Sequence, residues 1–187
     1  MNTEVNRPLM PSEMTELVSA QDVQRGFDEL AAQLQPLVAE RDCVLLGIMN
    51  GGLYPLMQLM LRLQGDYRVD YCHASRYREG TQGGALHWLR EPPDVVQGRT
   101  VLLIDDIFDE GCTLAAAADA CRGRGATDVF TVVEVIKDKP ARGNAVRPDY
   151  SAGITVPDVY VFGCGMDYAG RWRHLPSIYA LHPEASR

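Results

Sequence analysis

Two hydrophobic rhythms run through the chain, one of helical period and one of continuous apolar blocks. In SAQDVQRGFDELAAQLQPLVAERD, Val23, Phe27, Leu30 and Leu34 recur at helical spacing and predict an amphipathic helix with one buried stripe. Ser19 stands just ahead of it with Asp22 three residues on, an N-terminal capping signal. CVLLGIMNGG (43–52) is instead an unbroken apolar run that stops at Asn-Gly-Gly, the mark of a buried strand ending in a tight turn. LYPLMQLMLRLQG then reads as a helix closed by Gly65, and YRVDYCHA (67–74) as a second strand. SRYREGTQGG (75–84) is polar and glycine-rich, which predicts a mobile loop.

The second half repeats the alternation. TVLLIDD (100–106) is an apolar strand, and TLAAAADACRGRGA a helix whose small alanine face can lie close against a sheet. DVFTVVEVIKDKP (128–140) is a further strand running into a charged, proline-stopped turn. YSAGITVP, VYVFGCGMDY and RWRHLPSIYALHP read as short strands and turns. Strand–helix–strand alternation with continuously apolar strands implies α/β architecture, a mainly parallel sheet covered by helices on both faces. The 187 residues are expected to form one domain, with a core over roughly 40–163 and a small hood from 1–20 and 164–187.

Composition narrows the function more than the fold. With 46% hydrophobic and 23% charged residues, the chain has the make-up of an ordinary globular protein. A net charge of −7 argues against nucleic acid as the main partner, but leaves room for a small phosphorylated anion held by local loops or a metal. The five cysteines show no zinc or disulfide spacing and read as reduced thiols, which makes a cytoplasmic location the expectation. The N-terminal stretch lacks a basic flank and an apolar core, so no signal peptide is expected, and no segment is apolar enough for a membrane span.

The densest chemistry lies in VLLIDDIFDEGCTL (101–114). Asp105 and Asp106 fall at the carboxyl end of a buried strand, where open α/β sheets collect their ligands. Gly111 and Thr113 follow at a helix start, where backbone N–H groups and a hydroxyl favour an anion. Carboxylates beside an anion site repel a phosphorylated ligand unless a divalent cation stands between them, so the spacing points to phosphate, magnesium and a sugar with hydroxyls. A receiver-type phosphoacceptor pair and a plain solvated acidic turn share parts of this pattern.

The whole run resembles the PRPP-binding signature of type I phosphoribosyltransferases: four apolar residues, two acids, two apolar residues, Asp, then x-Gly-x-Thr. Further segments resemble the purine branch of that family, the hypoxanthine-guanine phosphoribosyltransferases, in order and spacing. IMNGG looks like the pyrophosphate loop, SRYREGTQGG like the mobile loop, VIK like the strand end with the purine lysine, and VPDVYVFGCGMDYAGRWRHLP like the C-terminal purine and pyrophosphate segment.

The resemblance implies a role for each matched residue. Asp105 and Asp106 hold the ribose hydroxyls and help place Mg2+, and Asp109 manages the proton on purine N7. The segment Asp109, Glu110, Gly111, Cys112 and Thr113 cradles the 5′-phosphate. Glu110 stands where the family most often has Ser or Thr and Cys112 replaces a commonly polar residue. A carboxylate aimed at a phosphate is repulsive, so the Glu110 side chain is expected to face outward. Asn50, Gly51 and Arg173 meet pyrophosphate, and Tyr77 helps a lid close. Lys137 donates to the purine 6-oxo group, with Lys139 the other lysine of VIKDKP. Tyr160 stacks on the purine, Val161 offers backbone contacts, and Asp167 meets the purine 2-position and a second magnesium. The implied reaction is Mg-dependent transfer of phosphoribosyl from PRPP to hypoxanthine or guanine, giving IMP or GMP and pyrophosphate in purine salvage. A homodimer or homotetramer, with no nucleic acid and no membrane as partner, is the implied state. A non-catalytic PRPP-sensing regulator and a xanthine-directed enzyme on the same fold are the alternative readings.

Overall fold

The computed structural model describes residues 14–76, 86–139 and 146–181. In chain order the elements are β1 (Met14–Val18), α1 (Ala20–Glu40), β2 (Cys43–Met49), α2 (Leu53–Met60), β3 (Arg68–Arg76) and β4 (Leu86–Arg90). After a 3-10 turn at Asp94–Val96 come β5 (Thr100–Phe108), α3 (Cys112–Gly123), β6 (Asp128–Lys137), β7 (Tyr150–Val156), β8 (Val161–Phe162) and β9 (Ile178–Leu181).

Six strands form the main sheet in the order β4-β3-β2-β5-β6-β7. The pairs β2–β3, β2–β5, β5–β6 and β6–β7 are parallel, and only the β4 edge is antiparallel to its neighbour. Consecutive strands from β2 run outward toward one edge, and those from β5 toward the other. The order therefore reverses between β2 and β5, and the crevice outside the carboxyl ends of these two strands is where such a sheet binds its ligand.

The central strands β2 and β5 are buried along most of their length because both faces of the sheet are covered there. One face packs Val23, Phe27, Leu30 and Leu34 of α1 and Leu56 and Leu59 of α2 against Leu45, Leu102 and Ile104. The other packs Leu114, Ala117, Ala118 and Cys121 of α3 against Val44, Leu46, Val101 and Leu103. All four stripe residues of α1 are fully buried, each worth about 1.5–3 kcal/mol of transfer free energy. Ser19 caps α1 as its position predicts, its Oγ accepting from the Asp22 N–H at 3.2 Å. Gly26 lets α1 lie on β7, since a Cβ there would sit 2.5 Å from the Ala152 carbonyl oxygen. This packing places α1 in the main body, although it precedes residue 40.

A smaller antiparallel sheet of order β1-β9-β8 forms the hood. It takes in Val161 and Phe162, which pair with Ala180 and Tyr179, so the hood begins a few residues before 164. Phe162 anchors it, stacked on Tyr179 at 5.7 Å and fully buried. All five cysteines are free. Among the described residues no helix is long and apolar enough to cross a membrane.

Candidate active site

Two loops meet at the strand-order reversal. The first follows β2. Gly52 donates to the Ile48 carbonyl at 2.8 Å and Leu53 to that of Asn50 at 3.2 Å, which turns the chain sharply into α2. The Met49–Asn50 peptide is cis. Gly51 presses its bare Cα against the neighbouring strand: a Cβ there would stand 2.0 Å from Asp106 Oδ2. The absence of a side chain at 51 is thus a condition for the Asp106 carboxylate to occupy this corner.

The second loop leaves β5. The strand continues through both acids to Phe108, two residues beyond the expected stop, because Ile107 and Phe108 pair with Val135 and Ile136 of β6. Asp105 Oδ1 accepts from the Asp106 N–H at 3.0 Å. Burial raises the Asp106 carboxyl above the usual carboxylate range, an effect opposed by its hydrogen bonds to Asp105 and Ile107 and by the Arg173 guanidinium. Beyond Phe108 the chain passes Asp109 and Glu110 to Gly111, whose φ of 77° is left-handed and glycine-suited, and enters α3. No side chain caps the start of α3, where backbone N–H groups point out of the helix end toward the cleft side, the orientation that favours an anion. Asp105, Asp106, Asp109, Glu110, Gly111 and Thr113 line one cleft of roughly 190 Å³. Glu110 is half-buried on this wall and Cys112 exposed.

Lys137 ends β6 and Lys139 follows in a tight turn, with the Lys139 N–H bonded to the Lys137 carbonyl at 2.9 Å. Both ammonium groups reach Asp109: Lys137 Nζ lies 3.6 Å from Oδ2, and Lys139 pairs with Oδ1. Both also reach Asp158 Oδ1, at 3.5 Å and 3.2 Å. Two lysines and two carboxylates therefore form one quartet at the ends of β6 and β7. Hydrogen bonding to Asp109 raises the Lys139 ammonium above its ordinary value, and hydrogen bonding from Lys139 lowers the Asp158 carboxyl.

The segment from Tyr160 to Arg173 adds a third set of contacts. Tyr160 is 47% exposed and donates its hydroxyl to the Asp167 carbonyl at 2.7 Å, edge-on to Tyr168 at 5.9 Å. The Asp167 carboxylate takes the Gly170 N–H at 2.7 Å and the Arg173 guanidinium at 2.6 Å. Arg173 also donates to the Gly165 carbonyl at 2.6 Å. Gly165 in turn lies against the first loop, where a Cβ would meet the Gly51 carbonyl oxygen at 2.5 Å. A contiguous series of contacts thus connects Arg173, Gly165, Gly51 and Asp106.

Of the residues singled out in the sequence, the structure gathers Asp105, Asp106, Asp109, Glu110, Gly111 and Thr113 along one cleft and Lys137 at its lip. It joins Arg173 and Asp167 to the Asn50–Gly51 loop through Gly165. It does not gather Asp167 with Asp105 and Asp106, since among the described residues no cluster of three or more His, Cys, Asp or Glu could hold a metal. Tyr77, assigned to the lid, lies outside the described residues. Two neighbours of the site were missed. Asp158 sits in the VPD turn two residues before Tyr160, and its role in the quartet depends on β6–β7 register. Glu134 is a lone acid in the apolar run VVEVIK, fully buried beside the Cys164 thiol and with no charged partner of opposite sign among the described residues. The register of Asp105 with Val133 and Ile107 with Val135 sets Glu134 beside Asp106. Burial, and then the Asp106 charge, push Glu134 well above the carboxylate range.

Comparison with known proteins follows the same lines. The phosphoribosyl transferase domain family matches residues 13–169. The hypoxanthine-guanine phosphoribosyltransferase of Bacillus subtilis (strain 168) is 31% identical over 169 residues, covering 89% of this chain and 92% of that protein. The bifunctional protein TilS/HprT of Listeria innocua is 35% identical over 170 residues, or 90% of this chain, which spans only 26% of that longer protein. A crystal structure of a hypoxanthine phosphoribosyltransferase from Staphylococcus aureus superposes with a TM-score of 0.87 at 26% identity, covering 98% of this chain and 100% of that one.

Proposed function

The chain belongs to the phosphoribosyl transferase family, in its hypoxanthine-guanine branch, and on that premise we propose that it transfers the 5-phosphoribosyl group of PRPP to hypoxanthine or guanine. The products are IMP or GMP and pyrophosphate, which makes the reaction one of purine salvage in the cytoplasm, carried out by a homodimer or homotetramer. The observation that carries this reading is the juxtaposition of Asp109, at the cleft, with a lysine pair at the adjoining strand end.

Each part of the substrate has a matching surface. The N-terminus of α3, with Thr113, receives the 5′-phosphate. Asp105 and Asp106 hold the ribose hydroxyls, and Asn50, Gly51 and Arg173 face the pyrophosphate, for which a guanidinium offers several donors at once. A purine base seated on Tyr160 and against the Val161 backbone presents its 6-oxo group to Lys137 or Lys139. Its N7 then faces Asp109, which accepts the proton as the sugar–nitrogen bond forms. A carboxylate in that position also stabilises the cationic sugar as pyrophosphate departs.

Asp105 and Asp106 fit magnesium as a donor pair. The ion favours carboxylate oxygens and is commonly held by one or two of them, with substrate phosphates completing its shell. When bound, magnesium supplies charge withdrawal from the departing pyrophosphate. Asp167 is the candidate for a second ion, although its two oxygens already accept from Arg173 and Gly170.

The test is product formation with hypoxanthine, guanine and xanthine, each with PRPP, with and without magnesium. Nucleotide is expected from hypoxanthine or guanine only when the metal is present. No turnover with any 6-oxopurine would sink the proposal. Asp109→Asn is expected to slow turnover by about 10²–10⁴-fold, the usual worth of a general base, while PRPP binding persists.

A further inference from the structure

Asp158 is an acid that none of the proposed steps uses, yet both lysines of the site touch it. We propose that Asp158 is a positioning residue of the base subsite: its carboxylate shares Lys137 and Lys139 with Asp109, and so leaves one lysine for the purine and Asp109 for the proton.

The backbone builds this arrangement from both sides. Lys137 pairs with Val156 at the ends of β6 and β7, and the Asp138 N–H bonds to the Val156 carbonyl at 2.8 Å. Each strand then makes a turn closed over two residues. Lys139 N–H bonds to the Lys137 carbonyl at 2.9 Å, and Val159 N–H to the Pro157 carbonyl at 2.8 Å. The facing turns present Lys139 and Asp158 to each other, with a hydrogen bond of 3.2 Å. The same turn leads directly into Tyr160, so one short segment carries both the stacking aromatic and the lysine anchor.

Charge balance explains why a second acid is needed. The lysine side chains are only 14% and 21% exposed, and with Asp109 alone they would place two positive charges on one carboxylate. A carboxylate so paired is a poor proton acceptor, and a lysine so held is slow to leave for a carbonyl oxygen. With Asp158 the quartet is electrically neutral. When the 6-oxo group claims one ammonium, the other stays shared between two acids. The exchange breaks the two ion pairs of the released ammonium and forms one hydrogen bond to the base, while both acids keep one cationic partner.

The inference rests on Asp109 acting as the base in phosphoribosyl transfer, and the experiment separates the two. Steady-state kinetics would be measured with hypoxanthine and PRPP for the wild type, Asp158→Asn, Asp158→Glu, Lys139→Gln and the Asp158→Asn/Lys139→Gln double variant, with melting temperatures alongside. Asp158→Asn is expected to lower kcat/KM for the base about tenfold, the size of one charge-assisted hydrogen bond. The KM for PRPP is expected to stay within about twofold, and Asp158→Glu to recover most of the loss. The double variant should lose much less than the product of the two single losses, because both disturb one network. An unchanged kcat/KM for the base would overturn the role of Asp158. So would multiplicative losses in the double variant, or equal losses for both substrates that track the melting temperature. A wild type without turnover would instead overturn the reading of Asp109 and this role with it.

Discussion

Replacing Glu134 by Gln should remove a pH dependence from the folding free energy. In the native protein Glu134 is fully buried, and burial followed by the adjacent Asp106 charge raises its carboxyl well above the ordinary value of 4.5. In the unfolded chain it titrates near that ordinary value. Below it both states carry the proton, and the contribution to stability is complete. Above it the unfolded state ionises while the native state keeps its proton, so stability falls with rising pH until the native value is passed. Across that window one extra native proton corresponds to a slope of about 1.4 kcal/mol per pH unit. Gln has nearly the shape of the protonated acid and no proton to lose. The difference in unfolding free energy between wild type and Glu134→Gln should therefore change by about 1.4 kcal/mol per pH unit in favour of the variant as pH rises through the window. Urea unfolding at half-unit steps from pH 5 to pH 8, without magnesium or substrate, reads it directly through the midpoint at constant m-value. Asp106, raised in the same direction, is present in both proteins and its contribution largely cancels in the comparison. Parallel stability curves for the two proteins would refute the assignment of Glu134 as a buried, protonated acid.

Other perturbations follow from the same geometry. Gly51→Ala puts a methyl group 2.0 Å from Asp106 Oδ2; overpacking of this kind costs about 1–3 kcal/mol, and the KM for PRPP should rise more than the melting temperature falls. Glu110→Ser removes one of the acids lining the cleft; relief of a partly exposed charge repulsion should lower the KM for PRPP about two- to fivefold, with the gain shrinking at high salt. Phe27→Ala empties a fully buried position beneath Tyr54 and Arg62; chemical denaturation should show a loss of about 3–5 kcal/mol.

What was legible in the sequence follows from the range of the interactions involved. The stripe Val23, Phe27, Leu30 and Leu34 declares itself because helical period is a local property, and Ser19 caps the same helix through a contact three residues away. The acidic run after Leu103 is legible for a similar reason, since strand, acids and turn are consecutive in the chain. The stop of β5 is not, because Ile107 and Phe108 stay in the sheet through partners on β6. Lys137 and Lys139 are two residues apart at a strand end, so alternation alone places both near the same surface, and their contacts with Asp109 do not separate them. Asp158 and Glu134 depend on the pairing of β6 with its neighbours, which no stretch of sequence displays. The hood boundary was hidden likewise, because two residues of β8 carry too little pattern to announce a partner in β9.

β5 pairs with β2 as far as Ile104 and with β6 as far as Phe108. An amide in such a strand exchanges its hydrogen only when much of the sheet opens, whereas one in the following loop can exchange through a small local fluctuation. That boundary falls between Asp106 and Asp109. The acids assigned to the sugar are thus carried by a strand still paired with β6, and the acid assigned to the proton by the loop that follows it. The reaction needs the same division, since the sugar must be held still while the proton acceptor follows an atom whose bonding changes.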